Sequence, residues 1–324
     1  MGDSEMIEYN RVELGKAAKD RGFVRDTFEK VLRLKEILRY FNEDEYLRKH
    51  LVLKGGTAIN MTIFNLPRLS VDIDMDFTPN YSKEDTEVAR KKITEHLLRY
   101  MQDEGYHLSE SSRYSHSLDS FLFQYQNAGG NRDNIKVELN YSLRSHIFEP
   151  VKRKIVTDAF EDSMEIRTLE PMEIFAAKAN ALMSRAAARD LYDFNNMIFY
   201  GLFDESEYEL FRKCIIFYAS ISAEVINKTF DTSAVDRLDF SKIRRDLFPV
   251  LRKKDNFNLE ERKTAAKKFI DKLMILTPQE KEYLNAFESK EYKPELLFTD
   301  EMILNNIQNH PMAVWKMAGE KYGK

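Results

Sequence analysis

Three aspartates in a strictly alternating stretch, Val71-Asp72-Ile73-Asp74-Met75-Asp76-Phe77, are the residues best suited to carry chemistry. On a strand, successive side chains point to opposite faces, so the three carboxylates share one face and the apolar residues take the other. Carboxylates two residues apart stand roughly 6–7 Å from one another at a rise of ~3.3 Å per residue, and they repel when both are charged. A hard divalent cation removes that repulsion, and Mg²⁺ leaves its remaining positions to water and substrate phosphates. The stretch therefore reads either as a metal site for phosphoryl transfer or as an exposed acidic edge strand.

Lys54-Gly55-Gly56-Thr57 follows the apolar step Leu51-Val52-Leu53 and opens a helix expected over Ala58 to Leu66, which Pro67 stops. Glycines let the backbone approach a phosphate, and the N–H groups of a helix start point at it. The Thr57 hydroxyl can cap the helix or touch a phosphate oxygen. A third segment, Ile135-Lys136-Val137-Glu138-Leu139-Asn140-Tyr141, alternates as well. If it lies beside residues 71–77, Glu138 completes a carboxylate trio that ligates metal or draws the proton from an attacking hydroxyl; otherwise it is a surface hairpin. Farther on, Lys178, Arg185 and Arg189 are spaced by seven and four. In one unbroken helix they form a cationic stripe suited to holding a triphosphate, with Asp190 and Asp193 as acceptors that orient Lys178 and Arg185.

The elements needed to position these groups can also be read. Residues 11–50 have helical periodicity, residues 83–103 form a further helix, and strands are expected over 106–114, 118–127 and 134–142. Asn127-Ala128-Gly129-Gly130-Asn131 is turn chemistry and joins the last two as a hairpin. Beyond about residue 168 helical patterns dominate, over 171–186, 188–200, 205–228, 258–274, 278–287 and 300–322. The expected organisation is a mixed α/β (α+β) domain over 1–168, with a helical N-terminal segment, followed by a helical domain over 169–324.

Composition excludes several classes. With 324 residues, 43% apolar and 32% charged, the chain is globular and not disordered. One Cys rules out a disulfide framework, and six His show no metal-ligand spacing. No apolar run spans a membrane and no leader pattern opens the chain, so a cytoplasmic location is expected. The net charge of −4 argues against a generally basic nucleic-acid binder. Residues 242–272, however, hold eleven Lys or Arg against five acids, either a solvated face or a patch that receives RNA.

Lys54-Gly-Gly-Thr-Ala-Ile, Leu66-Pro-Arg68-Leu-Ser70-Val-Asp72-Ile-Asp74, Lys178 to Arg185 and Arg189-Asp190-Leu-Tyr-Asp193 occur in that order over about residues 50–195. Together they resemble the AbiEii/AbiGii family of nucleotidyltransferase-like toxins from bacterial toxin–antitoxin and abortive-infection (phage-defence) systems, which has the MenT toxins as relatives. The resemblance implies a polymerase-beta-like nucleotidyltransferase domain with a mixed sheet, an NTP donor and Mg²⁺ (or Mn²⁺). It also implies an RNA acceptor, the tRNA 3′ end in the MenT relatives, and an antitoxin encoded nearby. Within it, Thr57 stands at the Ser of a Gly-Ser motif. Asp72 and Asp74 match the metal pair, Lys178 the family lysine, and Asp190 or Asp193 the acid after it. Lys54, Gly55, Gly56, Thr57, Arg185 and Asp193 are the expected NTP contacts, and Glu138 joins Asp72 and Asp74 as an expected metal ligand. Two other readings stay open: transfer to a protein side chain or an antibiotic hydroxyl, and a non-catalytic NTP-binding interaction protein.

Overall fold

The computed structural model describes the chain outside residues 1–8, 156, 158, 160–163, 223–227 and 320–324. It contains two compact units. The first takes the residues up to Arg144, Pro150–Thr168 and Pro249–Asp255; the second takes Ser145–Glu149, Leu169–Phe248 and the residues from Asn256 onward. Two short segments thus depart from a single division at residue 168.

The first unit begins with helices α1 (Arg11–Asp20), α2 (Arg25–Glu43) and α3 (Glu45–His50). Strand β1 (Leu51–Lys54) runs directly into α4 (Gly55–Ala58), which continues in a π-helical turn over Ile59–Ile63. Then come β2 (Asp72–Phe77), α5 (Lys83–Asp103), β3 (His107–Leu108), β4 (Arg113–Tyr114), β5 (Leu118–Gln126), β6 (Arg132–Asn140), β7 (Val151–Lys154) and β8 (Glu165–Thr168). These strands make one mixed sheet in the order β3-β5-β6-β2-β1-β8-β7, with β4 also on β5. The hairpin β5–β6 is antiparallel, as its turn residues require. The strand expected over 106–114 is instead two short pieces, because a turn closed by Ser112 N–H on the Ser109 carbonyl interrupts it.

Ile73, Met75, Phe77, Val137, Leu139, Phe121 and Phe123 are all buried. Helices α2 and α5 lie against this apolar face. Lys30 pairs with Asp133, Arg33 sits over the Tyr125 ring, and Arg90 pairs with Asp119. The Tyr40 and Tyr100 rings stack between the two helices at 4.0 Å. The opposite face of the sheet carries Asp72, Asp74, Lys136, Glu138 and Ser120, in cross-strand register. Residues 249–255 return to this unit: Leu69 N–H donates to the Val250 carbonyl at 2.8 Å, Arg68 pairs with Leu251 as an isolated bridge, and Arg252 reaches the Leu66 carbonyl.

Within the second unit the described residues form no strand, and its α-helices are α6 (Pro171–Ser184), α7 (Ala188–Phe199), α8 (Tyr208–Ser222), α9 (Ser233–Asp236), α10 (Phe240–Asp246), α11 (Leu259–Leu273), α12 (Pro278–Glu288), α13 (Glu301–Ile307) and α14 (Pro311–Ala318). Buried Glu173 explains why 145–149 groups here: it accepts N–H bonds from Ile147 and Phe148 and the Tyr218 hydroxyl. The helix expected over 205–228 is α8, and its residues 223–227 lie outside the described residues. The helix expected over 300–322 is split at Pro311, where His310 caps α14; its residues 320–322 lie outside the described residues. No helix among the described residues is long and apolar enough to cross a membrane.

Candidate active site

Strand β2 lies between β1 and β6, and its polar face is where the chemistry-bearing residues of the first unit meet. Asp74 is opposite Lys54 on antiparallel β1 and opposite Glu138 on parallel β6. The glycine turn closes on the same spot. Gly55 has φ +70°, a left-handed conformation that glycine adopts without steric cost. An ideal Cβ placed on Gly55 would stand 3.2 Å from both the Cβ and the Cγ of Asp74 and closer still to its Oδ2. A Cβ on Gly56 would meet the Arg68 Nη2 at 2.8 Å and the Ser70 Oγ at 2.9 Å. Asp74 therefore packs against the backbone of the helix start, and Arg68 with Ser70 forms the floor beneath it.

That floor was not assignable from the sequence. Arg68 is only 2% exposed, and its Nη1 donates to the Leu69 carbonyl at 2.9 Å. A buried guanidinium needs such partners, because an unpaired one is costly. The available signal was its place, with Ser70, in the Leu66-Pro-Arg68-Leu-Ser70 stretch that carries the family resemblance.

The carboxylates are electrostatically loaded. Burial, with the charges of Asp72 and Glu138 adding to it, pushes the Asp74 carboxyl up to about 6, against the opposing effect of Lys54 and Lys136. Lys54 forms an ion pair with buried Asp76. Asp76 is thus the lysine's partner, and Lys54 is held on the sheet instead of standing free for phosphate.

Two expected contacts take different forms. Thr57 does not cap the helix: Lys54 is the N-cap residue, without a side-chain cap bond, and Thr57 is fully buried. Its hydroxyl donates to the Asp72 backbone carbonyl at 2.5 Å, tying α4 to the start of β2. The hydroxyl proton is already used, so the side chain steadies Asp72 where a phosphate contact was expected. Glu138 also departs from expectation. One of its oxygens accepts from Ser120 Oγ at 3.1 Å and pairs with Lys136 at 3.1 Å. Among the described residues no group of three His, Cys, Asp or Glu side chains is arranged to hold a metal ion, so the trio is not gathered. Asp72 and Asp74 remain as a half-buried pair on one strand face.

In the second unit Lys178 on α6 is clasped by α7. Its Nζ lies 2.9 Å from Asp190 and 3.2 Å from Asp193, both buried. Arg185 Nε lies 3.2 Å from the other Asp190 oxygen, while 70% of the Arg185 side chain is exposed. The continuous cationic stripe does not form. Helix α6 ends at Ser184, Ala186 takes a positive φ of 47°, and Arg189 turns to donate to the Asp246 carbonyl at 2.9 Å.

The basic run 242–272 is not one surface either. Residues 249–255 belong to the first unit. Elsewhere Arg245 pairs with Asp246, Lys263 with Glu260, Lys267 with Asp236 and Lys272 with Glu205. Carboxylates near in space offset a charge that summation along the sequence counts as free.

A family profile described as the nucleotidyl transferase AbiEii toxin, type IV TA system, matches residues 36–295, about four-fifths of the chain. No curated protein matches the sequence. Among solved structures, MenT4, a nucleotidyltransferase toxin from Mycobacterium tuberculosis H37Rv, is similar with a TM-score of 0.63 at 16% identity, covering 95% of this chain and 99% of that one. The CdnE cyclic dinucleotide synthase of Elizabethkingia meningoseptica gives a TM-score of 0.22 at 14% identity over 82% of this chain and 99% of its own, too slight a likeness to bear on the fold.

Proposed function

This chain belongs to the AbiEii family of nucleotidyl transferase toxins, and from that premise we propose that it moves a nucleoside monophosphate from an NTP to RNA, with the tRNA 3′ end as acceptor. The observation that carries the reading is the fit of Asp74 against Gly55, which sets the aspartate pair beside the amides of a helix start. The acceptor hydroxyl attacks the α-phosphorus in line, the bond to the β-phosphate bridging oxygen breaks, and pyrophosphate leaves.

Each residue set has a role in this transfer. The Gly55 and Gly56 amides take phosphate oxygens. Asp72 and Asp74 are the residues that would hold Mg²⁺. Their fit to it rests on the donor chemistry: two carboxylates on one strand face, one of them forced up in pKa by burial and like charge. When bound, such an ion neutralises charge on the phosphates and lowers the pKa of the attacking hydroxyl. Glu138 can accept the hydroxyl proton once it leaves Lys136. Lys178, oriented by Asp190 and Asp193, and exposed Arg185 supply positive charge of the kind that phosphate oxygens take. Lys54 supports the pair through Asp76. The family also implies an antitoxin.

Purified protein incubated with each labelled NTP, Mg²⁺ and total tRNA tests the reading. Label in RNA that disappears in Asp72→Asn supports it. Label that instead migrates with protein or with an antibiotic would transfer the same chemistry to another acceptor.

A further inference from the structure

Two exposed phenylalanines stand beside the α6–α7 pair that clasps Lys178. Phe240, at the start of α10, is 60% exposed, and Phe248 is 39% exposed. Their rings meet edge to face, with centroids 5.6 Å apart at 82°. Phe240, Arg244 and Phe248 recur every four residues and are all exposed, whereas Ile243 and Leu247 are fully buried. The segment therefore has a core side of aliphatic residues and an outer side of Phe, Arg and Phe.

The cations around the rings retain their charge. Arg237 donates to the Ser184 carbonyl at 3.3 Å, and Lys242 donates to the Arg237 carbonyl at 3.1 Å. The Arg244 side chain has no hydrogen bond among the described residues, and none of the three ion-pairs with a carboxylate there. Arg245 is ion-paired with Asp246 at 2.7 Å, a carboxylate whose charge Lys242 also feels. Backbone carbonyls fix the side chains without neutralising them.

This segment is joined to the lysine-bearing helices at two points: Arg237 holds the last turn of α6 through Ser184, and Arg189 of α7 holds the Asp246 carbonyl. Exposed aromatic faces with uncompensated arginines are the chemistry that recognises unpaired nucleotides, by base stacking and phosphate contact. We propose that Phe240 and Phe248, with Arg244, form a stacking subsite for unpaired bases of a single-stranded RNA end. The inference rests on the RNA-directed reading above and names how the acceptor is held.

The test is binding of an eight-residue unpaired oligoribonucleotide carrying 2-aminopurine, whose fluorescence falls on stacking. The native protein quenches it; Phe240→Ala with Phe248→Ala removes the quench and weakens binding roughly ten- to hundredfold. Phe→Tyr at both positions restores binding. Arg244→Ala lowers the salt dependence by about one counterion. Because both rings are outside the core, circular dichroism of the double variant matches the native protein. Quenching and affinity that survive the double Ala change overturn the inference, and so does a variant that binds the oligonucleotide normally but loses a protein antitoxin, which makes the patch a protein-docking surface. Label incorporation measured in parallel tests the reaction separately: native protein that labels no RNA contradicts the proposed acceptor whatever the rings do, whereas labelling with an unchanged KM for RNA in the double variant contradicts this subsite alone.

Discussion

Gly55 and Asp74 compete for the same space: a side chain on the glycine would lie 3.2 Å from two carbons of the aspartate. Asp74 can stand against the helix start only because residue 55 has no Cβ, and the backbone at +70° favours glycine for the same position. Gly55→Ala is expected to cost about 1–2 kcal/mol from the left-handed backbone alone. Displacing Asp74 by even ~1 Å is expected to reduce transfer about a hundredfold. Chemical denaturation and single-turnover rates measure the two effects separately, and an alanine variant with native activity would show that the contact does not matter.

Asp74 also predicts a pH dependence. Its carboxyl is pushed up to about 6 in the fold, above an ordinary value of 3.8, because burial and neighbouring carboxylates disfavour its charge. A folded-state pKa that is raised gives stability present at low pH and lost as pH rises through 6. Metal-free protein kept in chelator is therefore expected to lose stability between about pH 4 and pH 7, on the order of 1–3 kcal/mol from this group. Asp74→Asn flattens that slope, raises the melting temperature of the metal-free protein at pH 7.5, and abolishes any further rise on adding Mg²⁺. A variant that Mg²⁺ stabilises as much as it does the native protein would contradict the proposed role of Asp74 in holding the ion.

Thr57 separates a structural from a binding role. Its hydroxyl donates to the Asp72 carbonyl, so Thr57→Val leaves that carbonyl short of a donor and costs about 1–3 kcal/mol. Thr57→Ser keeps the bond and is expected to keep both stability and the KM for NTP. A large rise in KM for NTP in the serine variant would contradict the assignment.

How much of this could be read beforehand differs from one element to the next. Strand β2 was legible because its acids and apolar residues alternate without a break, and β5–β6 because Gly129-Gly130 marks the turn between two alternating runs. Strands β7 and β8, Val-Lys-Arg-Lys and Glu-Ile-Arg-Thr, carry too few apolar residues for a period to register. The break between α6 and α7 has no glycine or proline to announce it; Ala186 simply takes a positive φ. The aspartate pair was legible from residue type and spacing. The burial of Arg68, the ion pair of Lys54 with Asp76 and the turning of Glu138 to Ser120 depend on contacts between distant elements, which local pattern does not encode.

Lys178 offers a test in which stability and catalysis diverge. Lys178→Ala takes the ammonium away from buried Asp193 and leaves Asp190 with Arg185 as its remaining cation, a change expected to cost about 3–5 kcal/mol. Adding Asp193→Asn removes the buried charge that lost Lys178 and is expected to recover part of that stability but none of the transfer. Denaturation curves with paired rate measurements decide it; a double variant that regains activity together with stability would make Lys178 purely structural.

The most direct measurement of nucleotidyl transfer uses one NTP labelled in two places. With label in the α-phosphate, purified protein, Mg²⁺ and tRNA are expected to yield labelled RNA, and Asp72→Asn none. With label in the γ-phosphate, the RNA stays unlabelled and the label leaves in pyrophosphate. Transfer of the γ-label, or failure of all four α-labelled NTPs to mark RNA, would contradict the account.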